Sequence, residues 1–267
     1  MSTVTVDISQ GIATITLNAP KRLNALSRDD YDVFAKALRE IDKRDDVVAT
    51  VWQATGRWFC AGTDVSVQRD DVGPNVREQF LHRVAATNTE CSHALSSHSK
   101  ILVAALNGPV MGMMFAALLG NFDFIYSVPE AWLYVGFAFL GISVEGGASV
   151  GFVNKMGLAR ANEVLIFNKK KTAQELESCG FINKIFPSQS TESFHASVRQ
   201  HLLDELDGLD AAAVLSIRNR IREGLKQRND PDSVTLRESY GQAERFATGI
   251  PAVRFGKVSR KEIRHKL

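Results

Sequence analysis

The chain has 267 residues, 45% of them hydrophobic and 23% charged, with a formal net charge of +2. Length and balance fit one packed domain with a modest extension, its core needing neither disulfide nor metal. So small a charge excludes a general nucleic-acid binder, and no run approaches the roughly 18 apolar residues of a membrane span.

Val4 to Ile8 and Ile12 to Leu17 alternate apolar and polar residues around Gly11, the pattern of a β-hairpin. Met1 to Ile8 has neither the basic start nor the apolar run of a secretory signal. A turn-rich loop, Asn18 to Ala25, follows. Ser27 then caps a helix with Asp29 and Asp30 in its first turn, and Tyr31, Phe34, Leu38 and Ile41 recur at helical spacing. Val47 to Trp52 is β-rich and ends in a turn at Gly56. Arg77 to Leu95 reads as a helix and Ile101 to Leu106 as a fully buried strand. Gly108 to Gly112 is a tight turn, and Met113 to Leu119 begins another helix. Phe122 to Val128 and Trp132 to Val135 are short strands. Beyond Gly147 the pattern is mostly helical, with one weak strand near Phe181 to Phe186. Strands alternating with helices predict an α/β core over residues 1–190. A helical region over residues 191–267 is expected to serve trimerisation or to act as a lid.

Cys60, Cys91 and Cys179 are widely spaced and odd in number, which suits a reducing compartment. His82, His93 and His98 have polar neighbours and are expected on helix surfaces or loops. No acid or cysteine cluster accompanies them, so no metal site is predicted. Asp70 and Asp71 read as a solvated acidic loop.

Two loops carry chemical interest. Phe59-Cys60-Ala61-Gly62-Thr63-Asp64 follows a strand, and Asn107-Gly108-Pro109-Val110-Met111-Gly112 lies between a strand and a helix start. Glycines there permit unusual backbone angles and close approach of a ligand. A helix start offers unpaired N–H groups and partial positive charge. Two such N–H groups aimed at one point stabilise a thioester oxygen as it gains charge. Either loop alone also reads as an ordinary glycine turn between strand and helix.

Together with Asn18 to Leu26 (NAPKRLNAL) and Phe139 to Gly147 (FLGISVEGG), these loops (FCAGTD, NGPVMG) follow the order and spacing of the enoyl-CoA hydratase/isomerase, or crotonase, superfamily. The chain resembles that family well over about residues 3 to 190 and loosely beyond. The resemblance implies an α/β fold, a crotonase-like spiral of ββα units with a helical C-terminal trimerisation region. It implies an acyl-CoA substrate, no separate cofactor because coenzyme A is part of that substrate, and a homotrimer or hexamer. The oxyanion hole would be the backbone N–H groups of Thr63 and Met113. Coenzyme A would lie along Lys21, Arg22, Leu23 and Ala25 and along Ala61, Gly62, Asp64 and Val65, with Lys21 or Arg22 meeting its phosphates. Gly112 and Leu140 would complete the substrate contacts. Read by itself, Asp64 is an acceptor for loop N–H groups rather than a catalyst.

Hydratases of this family carry two acidic residues, and the matching positions here are Ala116 and Phe137, neither of which handles a proton. Glu145 stands instead in a Leu-Gly-x-x-x-Glu-Gly-Gly stretch that resembles the fungal peroxisomal Δ3,Δ2-enoyl-CoA isomerases. One carboxylate suffices to shift a double bond, taking a proton from C2 and returning one to C4. Phe139, Leu140 and Met113 would make its pocket apolar, and burial would raise its pKa. Apart from the resemblance, Glu145 reads as an acidic residue favourable at the start of a helix near Gly147. Two alternatives stay open. One is a hydratase-like enzyme of a fungal secondary pathway. The other is a non-catalytic acyl-CoA binder, since Met113, Met114 and Phe115 replace the usual glycines.

The chain ends His265-Lys266-Leu267, matching two of three positions of the Ser-Lys-Leu peroxisomal address. A peroxisomal import receptor is therefore an expected partner and the peroxisomal matrix the expected location, provided the tail is exposed.

Overall fold

The computed structural model of the protein describes residues 3–64 and 73–265. The first hairpin forms as its alternation predicts. β1 (Val4–Ser9) pairs antiparallel with β2 (Ile12–Leu17), and Gln10 and Gly11 turn the chain at positive φ. Ala13, Ile15 and Leu17 share the inward face of β2. From β2 the sheet grows in parallel through β3 (Ala49–Ala54), β4 (Ile101–Leu106), β6 (Phe124–Ser127) and β9 (Lys184–Ile185), with order β1-β2-β3-β4-β6-β9. Every residue of β4 is buried, as a central parallel strand covered on both faces requires.

A second sheet runs β5 (Val110–Met111), β7 (Trp132–Tyr134) and β8 (Lys171–Thr172). Two isolated parallel bridges, Leu26 with Thr63 and Cys60 with Val110, add to its β5 end. Successive stretches of chain therefore lay a strand in the large sheet, a short strand in the second, and then a helix. β4 and β5 lead into α4 (Met113–Leu118), and β6 and β7 lead into α5 (Phe137–Leu140). This is the spiral of ββα units.

Ser27 caps α1 (Arg28–Asp42) in a capping box with Asp30. The helix expected at Arg77 to Leu95 is composite: α2 (Val76–Gln79), a π-helical stretch Phe80–Thr89, and α3 (Glu90–Ser97). β8 was not legible in the sequence, being two polar residues without periodicity. His98 corrects the expectation of a surface or loop histidine. It is 2% exposed, its Nε2 is 2.9 Å from Thr50 Oγ1, and burial pushes its imidazole down to about 4. Nothing in the polar residues around it in sequence announces that α1 and β3 close over it.

The rest is helical: α6 (Ala148–Leu165, broken at Gly157), α7 (Ala173–Ser178), α8 (Thr191–Leu206), α9 (Ala211–Lys226), α10 (Pro231–Ala247) and α11 (Ile250–Ser259). α10 lies against α2, the π-helical stretch and α3, and α11 against α5. The C-terminal helices thus return to the core.

Candidate active site

The two glycine turns meet. Phe59 anchors the first, fully buried with its ring centroid 4.9 Å from that of Trp52, which packs on Phe34 and Phe122 in turn. From that anchor the Phe59 N–H donates to Pro109 O (3.0 Å) and the Met111 N–H to Cys60 O (2.8 Å), tying the turns side by side. Gly62 and Gly112 sit at φ +91° and +107°, backbone against backbone.

The hydrogen bonds of these turns orient the two N–H groups expected to form an oxyanion hole. Leu26 N–H donates to Gly62 O and Asp64 N–H donates to Leu26 O, at 2.9 and 2.8 Å. In a parallel bridge of this kind the intervening residue, Thr63, directs its own N–H away from Leu26. Gly112 N–H is taken by Tyr134 O at 3.0 Å, so Met113 opens α4 with a helix-end N–H.

Glu145 is 6% exposed. Its Oε2 accepts a hydrogen bond from Gln242 Nε2 at 2.9 Å. It is not the cap of α6. That place is taken by Glu238, which accepts from Gly147 N–H (2.7 Å) and Ser149 N–H (3.0 Å). Burial raises the Glu238 carboxyl above its ordinary range, and these hydrogen bonds oppose the rise. Gly146, next to Glu145, packs on Ala117 and Leu118 of α4 and donates its N–H to Asn88 Oδ1 at 3.0 Å. On the other side, Tyr31 OH lies 2.5 Å from Thr63 Oγ1. Burial raises the Tyr31 phenol well above its usual range, and the nearby Glu145 charge adds to the rise. Tyr31 thus feels the carboxylate while bonded to the first turn, and Gly146 sets the carboxylate's loop against α4, the helix that the second turn leads into. Ala116 and Phe137 are buried and carry no acid–base group.

The Lys21–Leu26 loop is stapled to the same place. Leu23 and Asn24 adopt left-handed backbone angles, and Leu23 O accepts the Ala61 N–H at 2.9 Å. Buried Asn24 bonds Thr55 O and Trp58 O through Nδ2, and Ala19 N–H through Oδ1. Arg22 Nη2 donates to Asp30 at 2.7 Å and to Thr3 Oγ1 at 3.1 Å, and its Nη1 stands 3.7 Å from Asp64. Its charge faces Asp30 of α1 and Asp64 of the first turn, and Lys21 is exposed beside it. Asp64 therefore faces a guanidinium, a partner not foreseen for it. Leu140 is buried in α5, and Ala25 is half-buried. Val65, Asp70, Asp71, Lys266 and Leu267 lie outside the described residues. Cys60 is structural: its thiol donates to Asn24 O at 3.2 Å, and burial pushes it up to about 12.

Sequence reasoning missed Asn24, Asn88, Glu238 and Gln242. The available signal lay in α10, whose buried stripe includes Thr235, Glu238, Ser239 and Gln242 where an amphipathic helix presents apolar residues.

His265, expected in an exposed tail, folds back instead. Its Nδ1 is 3.1 Å from Tyr134 OH, and its ring packs at a 43° tilt against Phe139 with centroids 4.1 Å apart. A separate cavity of about 580 Å³ lies between α9 and the core, lined by Asp123, Lys155, Arg218 and Arg222 and by apolar residues of α9. Glu145 is not among the residues that line it. Among the described residues no histidine, cysteine and carboxylate cluster could hold a metal ion.

Comparison with known proteins agrees with this architecture. The enoyl-CoA hydratase/isomerase family model matches residues 7–252. The chain belongs to the enoyl-CoA hydratase/isomerase family. It is 34% identical to a Delta(3,5)-Delta(2,4)-dienoyl-CoA isomerase of Pyricularia oryzae, over 98% of each chain. It is 32% identical to the 3,2-trans-enoyl-CoA isomerase of Saccharomyces cerevisiae, over 95% of this chain and 92% of that one. A crystal structure of an enoyl-CoA hydratase/isomerase from Pseudoalteromonas atlantica superposes with a TM-score of 0.82, covering 100% of both chains at 21% identity. That last likeness establishes the crotonase fold.

Proposed function

We propose that the protein is an isomerase of β-oxidation that moves the double bond of 3-enoyl-CoA esters to the 2-trans position. Glu145 is its acid–base group. The observation that carries this reading is the buried Glu145 carboxylate, bonded to Gln242 and near Tyr31, whose hydroxyl pairs with that of Thr63 in the first turn, with non-acidic Ala116 and Phe137 at the positions that match a hydratase's acids. The thioester oxygen sits between the N–H groups of Thr63 and Met113. Glu145 takes a proton from C2, and the electron pair moves through the thioester as a dienolate. The same carboxyl returns the proton to C4. Each oxyanion donor contributes roughly two to three powers of ten in rate. Adding water would require a second group to activate it, which favours isomerisation over hydration. Coenzyme A lies along Lys21, Leu23, Ala25 and Ala61, with Lys21 meeting phosphate.

The Pyricularia relative favours a second reading in which the substrate is a 3,5-dienoyl-CoA. Supplying purified protein with 3-trans-enoyl-CoA and with 3,5-dienoyl-CoA in parallel decides between them. Turnover of the first supports the proposal, turnover of the second alone replaces it, and turnover of neither leaves an acyl-CoA binder.

We further propose a homotrimer or a dimer of trimers in the peroxisomal matrix. Ile217 and Ile221 of α9 are 62% and 60% exposed, and Phe167, just beyond α6, is 70% exposed. Apolar surface of this kind marks a contact between copies, and closed symmetry is usual for such assemblies.

A further inference from the structure

α10 meets the catalytic loop with polar side chains that must find partners once buried. Gln242 is 1% exposed. Its Oε1 accepts the Ser143 N–H at 2.9 Å, and its Nε2 donates to Glu145 Oε2 at 2.9 Å. One turn earlier, Glu238 holds the N–H groups of Gly147 and Ser149. One helix face therefore grips the Ser143–Ser149 segment on both sides of Glu145. The sense of the amide is fixed by chemistry. A backbone N–H only donates, so the carbonyl of Gln242 must face Ser143 and its NH₂ must face the carboxylate.

We propose that Gln242 is a positioning residue for Glu145, holding the carboxylate at one rotation in the cleft and stabilising it in the form that accepts the C2 proton. The inference rests on Glu145 as the proton-transfer group. A purely structural amide would hold Ser143 and leave the ionisation of Glu145 unaltered. Tyr31 of α1 feels the Glu145 charge, and Glu238 and Arg245 stand one turn either side of Gln242 on α10. Arg245 Nε donates to Gly141 O at 2.9 Å, holding the chain that enters the loop.

Gln242→Met keeps the bulk and removes the donor. The expected result is a kcat about tenfold lower with KM within about twofold, and an acidic limb of the kcat–pH profile raised by about one unit. Gln242→Glu adds a like charge and should move the limb further in the same direction. Carbon-13 titration of the Glu145 carboxyl, assigned by its loss in Glu145→Gln, reads the same shift without turnover. Raised midpoints in the variants support the inference. Unchanged midpoints in whichever variant folds overturn it, even if activity falls. A wild-type protein that turns over no enoyl-CoA removes the isomerase reading, and the titration then still decides what Gln242 does to Glu145.

Discussion

Gly62 and Gly112 touch through their backbones. A β-carbon on Gly112 would stand 2.5 Å from Gly62 Cα, and one on Gly62 would stand 2.8 Å from Gly112 Cα. The next residues, Thr63 and Met113, supply the N–H groups assigned to the oxyanion hole. The separation of the two turns, and with it the spacing of the two N–H groups in the proposed hole, is set by two absent side chains.

Gly112→Ala should therefore force the turns apart and strain a backbone at φ +107°. The expected cost is a kcat loss of about a hundredfold and a stability loss of about 1–3 kcal/mol. Steady-state kinetics beside thermal unfolding checks both. A kcat within about threefold of wild type would mean that this contact does not shape the hole.

Glu145→Gln keeps shape and hydrogen-bonding capacity but cannot take a proton. Isomerase activity should fall by about a hundredfold or more, while acyl-CoA affinity by calorimetry stays nearly unchanged. More than about a tenth of wild-type activity would exclude Glu145 as the base.

Glu145 could be singled out as a candidate from the sequence because chemistry-bearing motifs are local: FCAGTD, NGPVMG and FLGISVEGG are each short runs of chain. The hairpin, β4 and the cap at Ser27 were legible for the same reason, since alternation and capping are short-range signals. Gln242 and Glu238 were not. Their partners lie 97 and 91 residues away, and a Gln or Glu on a helix ordinarily reads as solvent-facing. His98 failed likewise, its burial depending on α1 and β3 rather than on its neighbours. Arg22 reads as a free cation until Asp30 is brought beside it by the turn into α1.

His98 gives the fold a pH dependence. Burial, the largest influence, holds its imidazole at about 4, against an ordinary value near 6.5. The unfolded chain thus binds the extra proton between those values. This contribution to stability is complete above about pH 6.5 and is lost as pH falls towards 4, by roughly 2–3 kcal/mol. His195, also pushed down to about 4 by burial, acts in the same window. The test is the difference between wild type and His98→Gln. The variant should lose less stability between pH 7 and pH 4.5 in denaturant titrations, and parallel curves would exclude His98 as a source of the slope.

The exposed apolar face of α9 predicts what happens when it is charged. Ile217→Asp with Ile221→Asp should give a smaller assembly by light scattering at micromolar concentration, with far-ultraviolet dichroism preserved. An unchanged mass, or a wild type already monomeric, would count against an interface here.

The tail prediction turns on His265. A receptor that reads a C-terminal address needs the last residues free, yet the His265 ring rests on Phe139 and meets Tyr134 OH. Tyr134 O in turn holds the Gly112 N–H of the second turn. The contact is two aromatic packings, on Phe139 and Tyr134, with one hydrogen bond, worth about 1.5–3 kcal/mol, so releasing it weakens receptor binding by about 10- to 100-fold without abolishing it. Full-length protein with an N-terminal fluorescent fusion should reach peroxisomes in cells lacking the endogenous copy, and deletion of Lys266 and Leu267 should leave it in the cytosol. Phe139→Ala should weaken the grip on His265 and quicken import without altering the destination. Cytosolic fluorescence from the full-length fusion would refute the peroxisomal assignment while leaving the chemistry at Glu145 untouched.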